Sequence, residues 1–451
     1  MDLPFKGFKS TNNALWVEHN VQRIITRQEE VGVQFDQKRG RRYIRYLTLK
    51  REELYNKIRP SLSLELTTPY SVPVSKPFLK QGGYCDSAKK WYADEELQNV
   101  SGPFTRIEYS EPDLGKRGKL VAQFLSLGWR PTSFTKKGSP RLVVEGEPCP
   151  NLEKIEGDLG QWIAKWYIYN HRAGQITGWQ NLVRDDGRIE ARAITIGTPT
   201  YRFRHSGLVN VPKVSKLFGK QMRRLFTVKN KDYRFVGFDA SGLELRMLAD
   251  ATKDKDFIWE ILNGEIHVKN QRDAGLPDRD SAKTFIYAFN YGAGDAKIGQ
   301  IIGGSRVAGK RIKSKFLASN PKLAETIKNT QRAGARGYLI GLDGRKVNLR
   351  RDLVTKEVQT HKALNTRLQS AGALVMKYAM VILDEWITEM GLDAEKIIDM
   401  HDEGQFEVHK DSAQLVGVLG CASIVKAGEL LGLCIPLAGE YKVGMNWSET
   451  H

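Results

Sequence analysis

The apolar positions of the first sixty residues recur at helical spacing, with Val21, Ile24 and Ile25 set among charges, so residues 12–58 read as a long helical hairpin. From Pro60 to about Ser110 that periodicity collapses. Pro69, Pro73, Pro77, Gly82 and Gly83 forbid a continuous helix, and the stretch reads as an irregular insertion. Helical periodicity returns over 113–128 and again over 151–176, where Leu152, Ile155, Leu159, Trp162, Ile163 and Trp166 trace one face. The unbroken apolar run from Phe235 to Phe238 predicts a short buried strand that ends on Asp239, with a helix following from about Gly242. Helices and Gly-rich breaks then alternate to about residue 350, before a helix near 360–389 and an apolar–turn–apolar unit over 396–409. No repeat and no low-complexity tract interrupts this order.

At 451 residues the chain has room for roughly three structural units. A hydrophobic share of 41% and a charged share of 27% are those of an ordinary globular protein, and no uninterrupted apolar run reaches the length of a membrane span. The first twenty residues mix Lys6, Lys9 and Glu18 with scattered apolar positions and lack the form of a secretory signal, so a cytoplasmic location away from any membrane is expected. Cys85, Cys149, Cys421 and Cys434 fit neither a zinc pattern nor a disulfide scaffold and read as buried thiols. Charge changes the picture more. The formal net charge is +18, and residues 297–367 hold 17 Lys and Arg against four acids, Glu325, Asp343, Asp352 and Glu357. Concentration of the excess in one segment favours a phosphate-binding face over a merely solvated surface.

Three constellations could carry chemistry. In Phe238-Asp239-Ala240-Ser241-Gly242-Leu243-Glu244, Ser241 and Glu244 have the spacing of a capping box, but Asp239 precedes the cap and stands at the mouth of the strand, a position suited to a metal ligand. In Arg279-x-x-x-Lys283-x-x-x-Tyr287-x-x-x-Tyr291-Gly292, steps of four keep all four side chains on one helical face. Two like charges at i and i+4 repel, which makes sense where an anion such as a triphosphate lies over them. The third, from Ile397 to Val408, flanks an acidic turn with apolar runs and reads as a hairpin with Asp402 and Glu403 at its tip, closed by Gly404. Two carboxylates brought together can hold a pair of Mg²⁺ ions roughly 4 Å apart, one activating a 3′-hydroxyl and one steadying a leaving pyrophosphate.

These three segments resemble, in order, motifs A, B and C of family A DNA polymerases, most closely the replicative branch of short-tailed phages. The resemblance extends to residues 264–270, 291–301, 341–347 and 363–373, runs without a break from about 190 to 451, and continues more weakly at Gly128-Trp129-Arg130-Pro131 and Thr135-Lys136-Lys137-Gly138. It implies an α+β right-hand fold with an antiparallel palm sheet and helical fingers and thumb. A helical segment would occupy 1–38, the thumb 39–190 with its insertion at about 60–110, the palm 191–255 and 365–451, and the fingers 256–364.

By the same resemblance Asp239 and Asp402 would bind two Mg²⁺ ions, with Mn²⁺ an alternative, the Ala240 carbonyl would complete one metal shell, and Glu403 would support the site. His267, Arg279 and Lys283 would hold the triphosphate of an incoming deoxynucleotide, with Lys283 placed to protonate the pyrophosphate. Tyr287 would lie against the sugar, and Glu244, bonded toward Tyr291, would crowd a ribose 2′-hydroxyl. Arg202, Gln369 and His401 match the family's minor-groove readers, with Asn365 beside them on primer–template DNA. In Thr198-Pro199-Thr200-Tyr201-Arg202 the chain departs from the family pattern by placing Tyr where Gly is usual.

Most relatives carry a 3′–5′ exonuclease domain before the thumb. The two D-x-E matches here, Asp94-Glu95-Glu96 and Asp393-Ala394-Glu395, lack the expected strands, so no proofreading is expected within these residues, and a separate exonuclease subunit and a helicase are partners to test. The insertion sits where the phage branch recruits a processivity factor, and Lys76, Lys80, Lys89, Lys90, Tyr84, Trp91 and Tyr92 give it a basic, aromatic character; a loop that touches DNA itself fits equally well. A single-subunit RNA polymerase or reverse transcriptase and a non-catalytic DNA-binding protein remain the alternative readings.

Overall fold

Four strands form the antiparallel sheet on which both acidic segments lie: β1 (Tyr233–Ala240), β2 (Ala394–Met400), β3 (Glu403–His409) and β4 (Gly439–Gly444), in the order β2-β3-β1-β4. The structure, a computed structural model, describes residues 13–67, 73–105, 107–135, 137–144, 147–400 and 402–450; Pro69, Lys136 and His401, named above, lie outside them. Register assigns the two faces of the sheet. Val236 is paired with Phe406 and Phe238 with Gly404 on one face, while Phe235 is paired with Glu407, Gly237 with Gln405 and Asp239 with Glu403 on the other. The first face is apolar and packs on two helices; the second is a buried polar layer, in which Glu407 pairs with Arg188 at 2.6 Å and Gln405 accepts from the Thr450 hydroxyl at 2.8 Å. Covering both faces is why the central strand reads as an unbroken apolar run.

Around the sheet lie α1 (Asn13–Val31), α2 (Leu243–Thr252), α3 (Ile266–Ala274), α4 (Arg279–Asn290), α5 (Asp295–Ile301), α6 (Arg306–Ser319), α7 (Pro321–Gly334), α8 (Ala363–Glu389) and α9 (Ala413–Leu430). Helix α9 packs on the sheet closely enough that a Cβ at Gly420 would come within 2.6 Å of the Phe238 ring. Burial of that ring contributes about 2–3 kcal/mol, all of which depends on the missing side chain opposite. Among the described residues one helix, Lys410–Leu430 with mean hydropathy 1.3, is long and apolar enough to cross a membrane, although Lys426 and Glu429 interrupt its apolar run. Half of it is buried against β1, β4 and α8, which accounts for its composition in this fold.

Helix α1 is a core element. Val17, Val21, Ile24 and Ile25 are buried, as their spacing predicts, and its polar residues tie neighbouring segments: Gln28 donates to the Ala191 carbonyl at 2.7 Å and Glu29 accepts from the Ala193 N–H at 2.9 Å. The expected helical hairpin is instead helix–strand–helix. Val33–Phe35 pairs with Arg188–Ile189 and Phe226–Thr227, a partnership distant in sequence that local periodicity does not carry.

Residues 1–40 and 178–451 form one compact unit and 41–177 a second, so 178–190, read above as the end of the thumb, belong with the sheet. In the second unit, Ile58, Leu120, Phe124, Trp129, Leu152 and Ile163 share a core. The helix expected over 151–176 begins only at Leu159, because Pro150 opens a short 3₁₀ turn and Gly157 takes φ 68°, outside the helical region. Inside the 60–110 stretch a small separate core of Val74, Ala88 and Leu97 takes up Tyr84, Trp91 and Tyr92, leaving Lys76, Lys80, Lys89 and Lys90 in solvent. Of the four free cysteines only Cys149 is buried and Cys434 is exposed, which corrects the reading of all four as buried thiols.

Candidate active site

Asp239 is the penultimate residue of β1, paired with Glu403 of β3 on one side and Glu440 of β4 on the other. The next backbone N–H, that of Ala240, donates to the Asp402 carbonyl at 3.3 Å, which ties the β2–β3 turn to the end of β1. Asp239 and Asp402 therefore stand side by side, both open to solvent. Partial desolvation, followed by the charges of Asp402 and Glu403, pushes the Asp239 carboxyl up to about 7. Glu403 is not at the hairpin tip, as its sequence position suggested. It opens β3, is buried, and its Oε1 accepts from the Trp447 indole at 2.8 Å and from Gln405 at 2.5 Å. Gly404 is likewise a strand residue facing the Phe238 ring, where a Cβ would come within 2.8 Å, rather than the glycine of a turn.

The donors at this point suit a hard divalent cation. They are carboxylate and backbone oxygens, and the crowded charges that raise Asp239 are those a divalent ion would relieve. Among the described residues no group of three His, Cys, Asp or Glu converges into a closed cage, so a cation here would complete its shell with water or substrate oxygens, the habit of Mg²⁺.

Helix α2 starts after Gly242, which takes φ 60° as the N-cap residue, and the expected capping box is absent. Ser241 turns instead to Glu440, at 3.2 Å. Glu244 is thereby free to face the cleft, where its Oε1 accepts from the Tyr291 hydroxyl and from Arg202 at 3.4 Å. Burial and the Glu244 carboxylate hold the Tyr291 phenol up at about 12, so it stays a donor.

Helix α4 begins at the Asp278 N-cap and buries Ala282, Phe285, Ile286 and Phe289. The opposite face carries Arg279 and Lys283 toward solvent and a half-buried Tyr287 in line with them, with Tyr291 at the helix end, as the spacing of four requires. His267 of α3 adds to this face, its ring 6.3 Å from that of Tyr287. Desolvation and then the cations of Arg279 and Lys283 lower its pKa, keeping a neutral imidazole among positive charges. Arg279 is held by Glu265 at 3.3 Å.

A groove of about 330 Å³ brings together Arg202, Tyr291, Asn365 and Gln369. Asn365 and Gln369 are one helical turn apart on α8. Arg350 and Lys362 also line this groove and were not singled out from the sequence; only their membership of the cationic segment hinted at them. Tyr201 stands where the family pattern has Gly, and its backbone is left-handed, at φ 62°, a conformation that suits Gly and strains Tyr. Its strain is offset by a hydrogen bond from its hydroxyl to the Lys346 carbonyl, 2.9 Å, and by the Arg345 guanidinium 4.7 Å from its ring centroid. His401 is outside the described residues.

A sheet that offers carboxylates at one end, joined to a helical subdomain with Arg279 and Lys283 on an exposed face, is the right-hand polymerase fold. Its likeness to the POL domain of Pol1 from M. smegmatis, solved in complex with DNA primer-template and dNTP, has a TM-score of 0.72 at 20% identity and covers 96% of this chain and 70% of that one. The profile of DNA polymerase family A matches residues 131–449. The DNA-directed DNA polymerase of Escherichia phage Phieco32 is 38% identical over 65% of this chain and 61% of its own length, and that of Enterobacteria phage T3 is 33% identical over 100% of this chain and 72% of its own. The chain belongs to DNA polymerase family A.

Proposed function

We propose that this chain is a DNA-directed DNA polymerase of the phage replicative type, extending a primer 3′-hydroxyl with deoxynucleoside triphosphates. The observation that carries the reading is the pairing of Asp239 with Asp402 through the Ala240 N–H, within one unit with the cationic face of α4. Asp239, Asp402 and the Ala240 carbonyl hold Mg²⁺, or Mn²⁺ in its place, and Glu403, fixed by Trp447, sets the charge of the pocket. When bound, two such ions supply Lewis-acid activation of the 3′-hydroxyl and neutralise charge on the pyrophosphate. Arg279, Lys283 and His267 bind the triphosphate, and Lys283 is placed to give a proton to the departing pyrophosphate. Tyr287 seats the sugar. Glu244, fixed between Tyr291 and Arg202, fills the space a 2′-hydroxyl would need and favours deoxynucleotides. Arg202, Asn365, Gln369 and His401 read acceptors common to every correct pair in the minor groove. In this reading the sheet with α8 and α9 is the palm, residues 256–364 the fingers and the 41–177 unit the thumb, whose 60–110 stretch offers its lysines to DNA or to a processivity partner.

The test is extension of a 5′-labelled primer with Mg²⁺ and the four deoxynucleotides, wild type beside Asp402→Asn. Growth in wild type alone supports the reading; equal growth in both refutes the assignment of Asp402. Ribonucleotides as sole substrates test the RNA polymerase alternative. The same chain without nucleotides on a mismatched end tests the expectation that these residues do not proofread, which shortening of the primer would contradict.

A further inference from the structure

Five non-glycine residues have a left-handed backbone among the described residues, Tyr201, Asn210, Phe218, Lys253 and Lys356, and of these Tyr201 alone adjoins a residue of the site, Arg202. Strain of this kind persists only where the surroundings over-determine it. Here they do. The Tyr201 N–H donates to the Thr198 carbonyl at 3.0 Å, closing a turn, and the Thr198 hydroxyl donates to the Arg202 carbonyl at 3.1 Å. The Tyr201 hydroxyl donates to the Lys346 carbonyl at 2.9 Å, and its ring centroid lies 4.7 Å from the Arg345 guanidinium and 5.7 Å from the Lys377 ammonium.

Each of those anchors is itself fixed. Lys346 opens the strand Lys346–Asn348, paired antiparallel with Tyr338–Ile340, and Val347 and Leu339 of that hairpin are buried. Arg345 pairs with Asp343 at 2.6 Å and with Glu18 of α1, and donates to the Ala14 carbonyl at 3.3 Å. Lys377 of α8 donates to the Thr195 carbonyl at 2.9 Å, so the segment that bears Arg202 is tied at Thr195 and again at Tyr201. A glycine at 201 would reach the same φ without strain and would be equally free to leave it; the tyrosine is held there by its ring and hydroxyl.

Arg202 shows what that rigidity serves. Its guanidinium donates to Glu244 at 3.4 Å, on the same Oε1 that accepts from the Tyr291 hydroxyl. That length is close to the limit of a hydrogen bond, so a shift of about half an ångström breaks it. Beside the pair, Tyr201, Arg202, Glu244 and Asp402 line a hollow of about 30 Å³, room for one water, and removal of the Tyr201 ring opens space into which the guanidinium can turn away. We propose that Tyr201 is a positioning residue: clamped by Arg345 and the Lys346 carbonyl, it fixes the backbone from which Arg202 reaches Glu244, and so sharpens the choice of deoxynucleotides over ribonucleotides. The proposal rests on the polymerase reading and on the place it gives Glu244.

The test is the ratio of kcat/KM for a ribonucleotide to that for the matching deoxynucleotide, opposite one template base with Mg²⁺. Loss of folded protein lowers both members equally and cancels, so a purely structural role leaves the ratio where it was. Tyr201→Gly, which removes the clamp and relieves the strain, should raise the ratio by roughly threefold, the effect of weakening one hydrogen bond. Tyr201→Phe keeps the ring and the strain, loses only the Lys346 bond, and should raise it by roughly twofold. In an Arg202→Ala background neither change should move the ratio further, because the group they position is gone. An unchanged ratio in Tyr201→Gly, or the same rise with and without Arg202, overturns the proposal; if the glycine variant does not fold, Tyr201→Phe decides by the same ratio. A wild type that extends no primer refutes the polymerase reading instead. Crystal structures of wild type and Tyr201→Gly then decide the positioning: Arg202 turned away from Glu244 in the variant supports it, and Arg202 unmoved overturns it.

Discussion

Glu18 is the anion on which a buried charge network turns, and its replacement by Gln should be among the most damaging single changes in this chain. Its carboxylate accepts from the Lys377 ammonium at 2.8 and 2.7 Å and from the Arg345 guanidinium, while Lys377 is 1% and Arg345 9% exposed. Asp343 pairs with Arg345 at 2.6 Å, so two cations face two anions. Glu18→Gln keeps the shape and removes one charge, leaving Arg345 its bond to Asp343 and Lys377 only the more distant charge of Asp399. Breaking a buried pair in this way costs about 3–5 kcal/mol, and since the amide still accepts one hydrogen bond we take about 3. In a body this large that lowers the melting temperature by about 5 °C.

The pH dependence sharpens the test. Burial already holds Lys377 below the ordinary lysine value against the pull of Glu18, and loss of Glu18 lowers it further. A base whose folded pKa lies below its unfolded value, about 10.4, carries its full penalty at low pH and sheds it as pH rises toward that value. The deficit of Glu18→Gln, measured by calorimetry, should therefore shrink between about pH 7 and pH 9.5, and adding Lys377→Met should recover most of it. A variant that melts within about 1 °C of wild type, or a deficit that grows with pH, would refute the network as the source of stability.

Three further outcomes follow from the site. The raised pKa of Asp239, about 7, means that its protonated form is the better tolerated one without metal, so that contribution to stability is full below about pH 4 and lost as pH rises through 7. Stabilisation by Mg²⁺ in a thermal melt should accordingly grow from pH 6 to 8, and Asp239→Asn should remove both trends; a pH-independent Mg²⁺ effect counts against the assignment. Glu244→Ala should raise ribonucleotide incorporation by roughly tenfold or more, and Tyr291→Phe by less, since Arg202 still holds the carboxylate. Unchanged sugar selectivity in the first would remove Glu244 from that role. Tyr201→Ala should cost about 2 kcal/mol, losing the Lys346 hydrogen bond and the Arg345 contact while keeping the left-handed strain, whereas Tyr201→Gly should cost about 1 because strain is relieved. A glycine variant more stable than wild type would show that the latch is worth nothing.

Much of the site was legible because it is local. The spacing of four that puts Arg279, Lys283 and Tyr287 on one face is a property of helical geometry, and α4 obeys it once Asp278 caps its start. The strand ending on Asp239 was visible as an apolar run, and Val21, Ile24 and Ile25 were visible as a buried stripe. What misled the sequence reading was also local. Ser241 and Glu244 have the letters of a capping box, but the left-handed Gly242 starts the helix, and the two side chains take the distant partners Glu440 and Tyr291. Glu403 and Gly404 looked like a solvated turn because nothing near them in sequence shows that Trp447 and Phe238 cover them.

Sequence by itself determined the elements, the class of chemistry and the residues that could perform it, since periodicity and motif spacing are set within a few turns of chain. Tertiary structure alone decided which of those residues meet. The pairing of Asp239 with Glu403 and Glu440, the bond from Ala240 to Asp402, the seat of Glu244 between Arg202 and Tyr291, and the lodging of Glu18 between Lys377 and Arg345 all join positions far apart in the chain. Such contacts are fixed by sheet register and by the burial of charge, and no window of local sequence contains either.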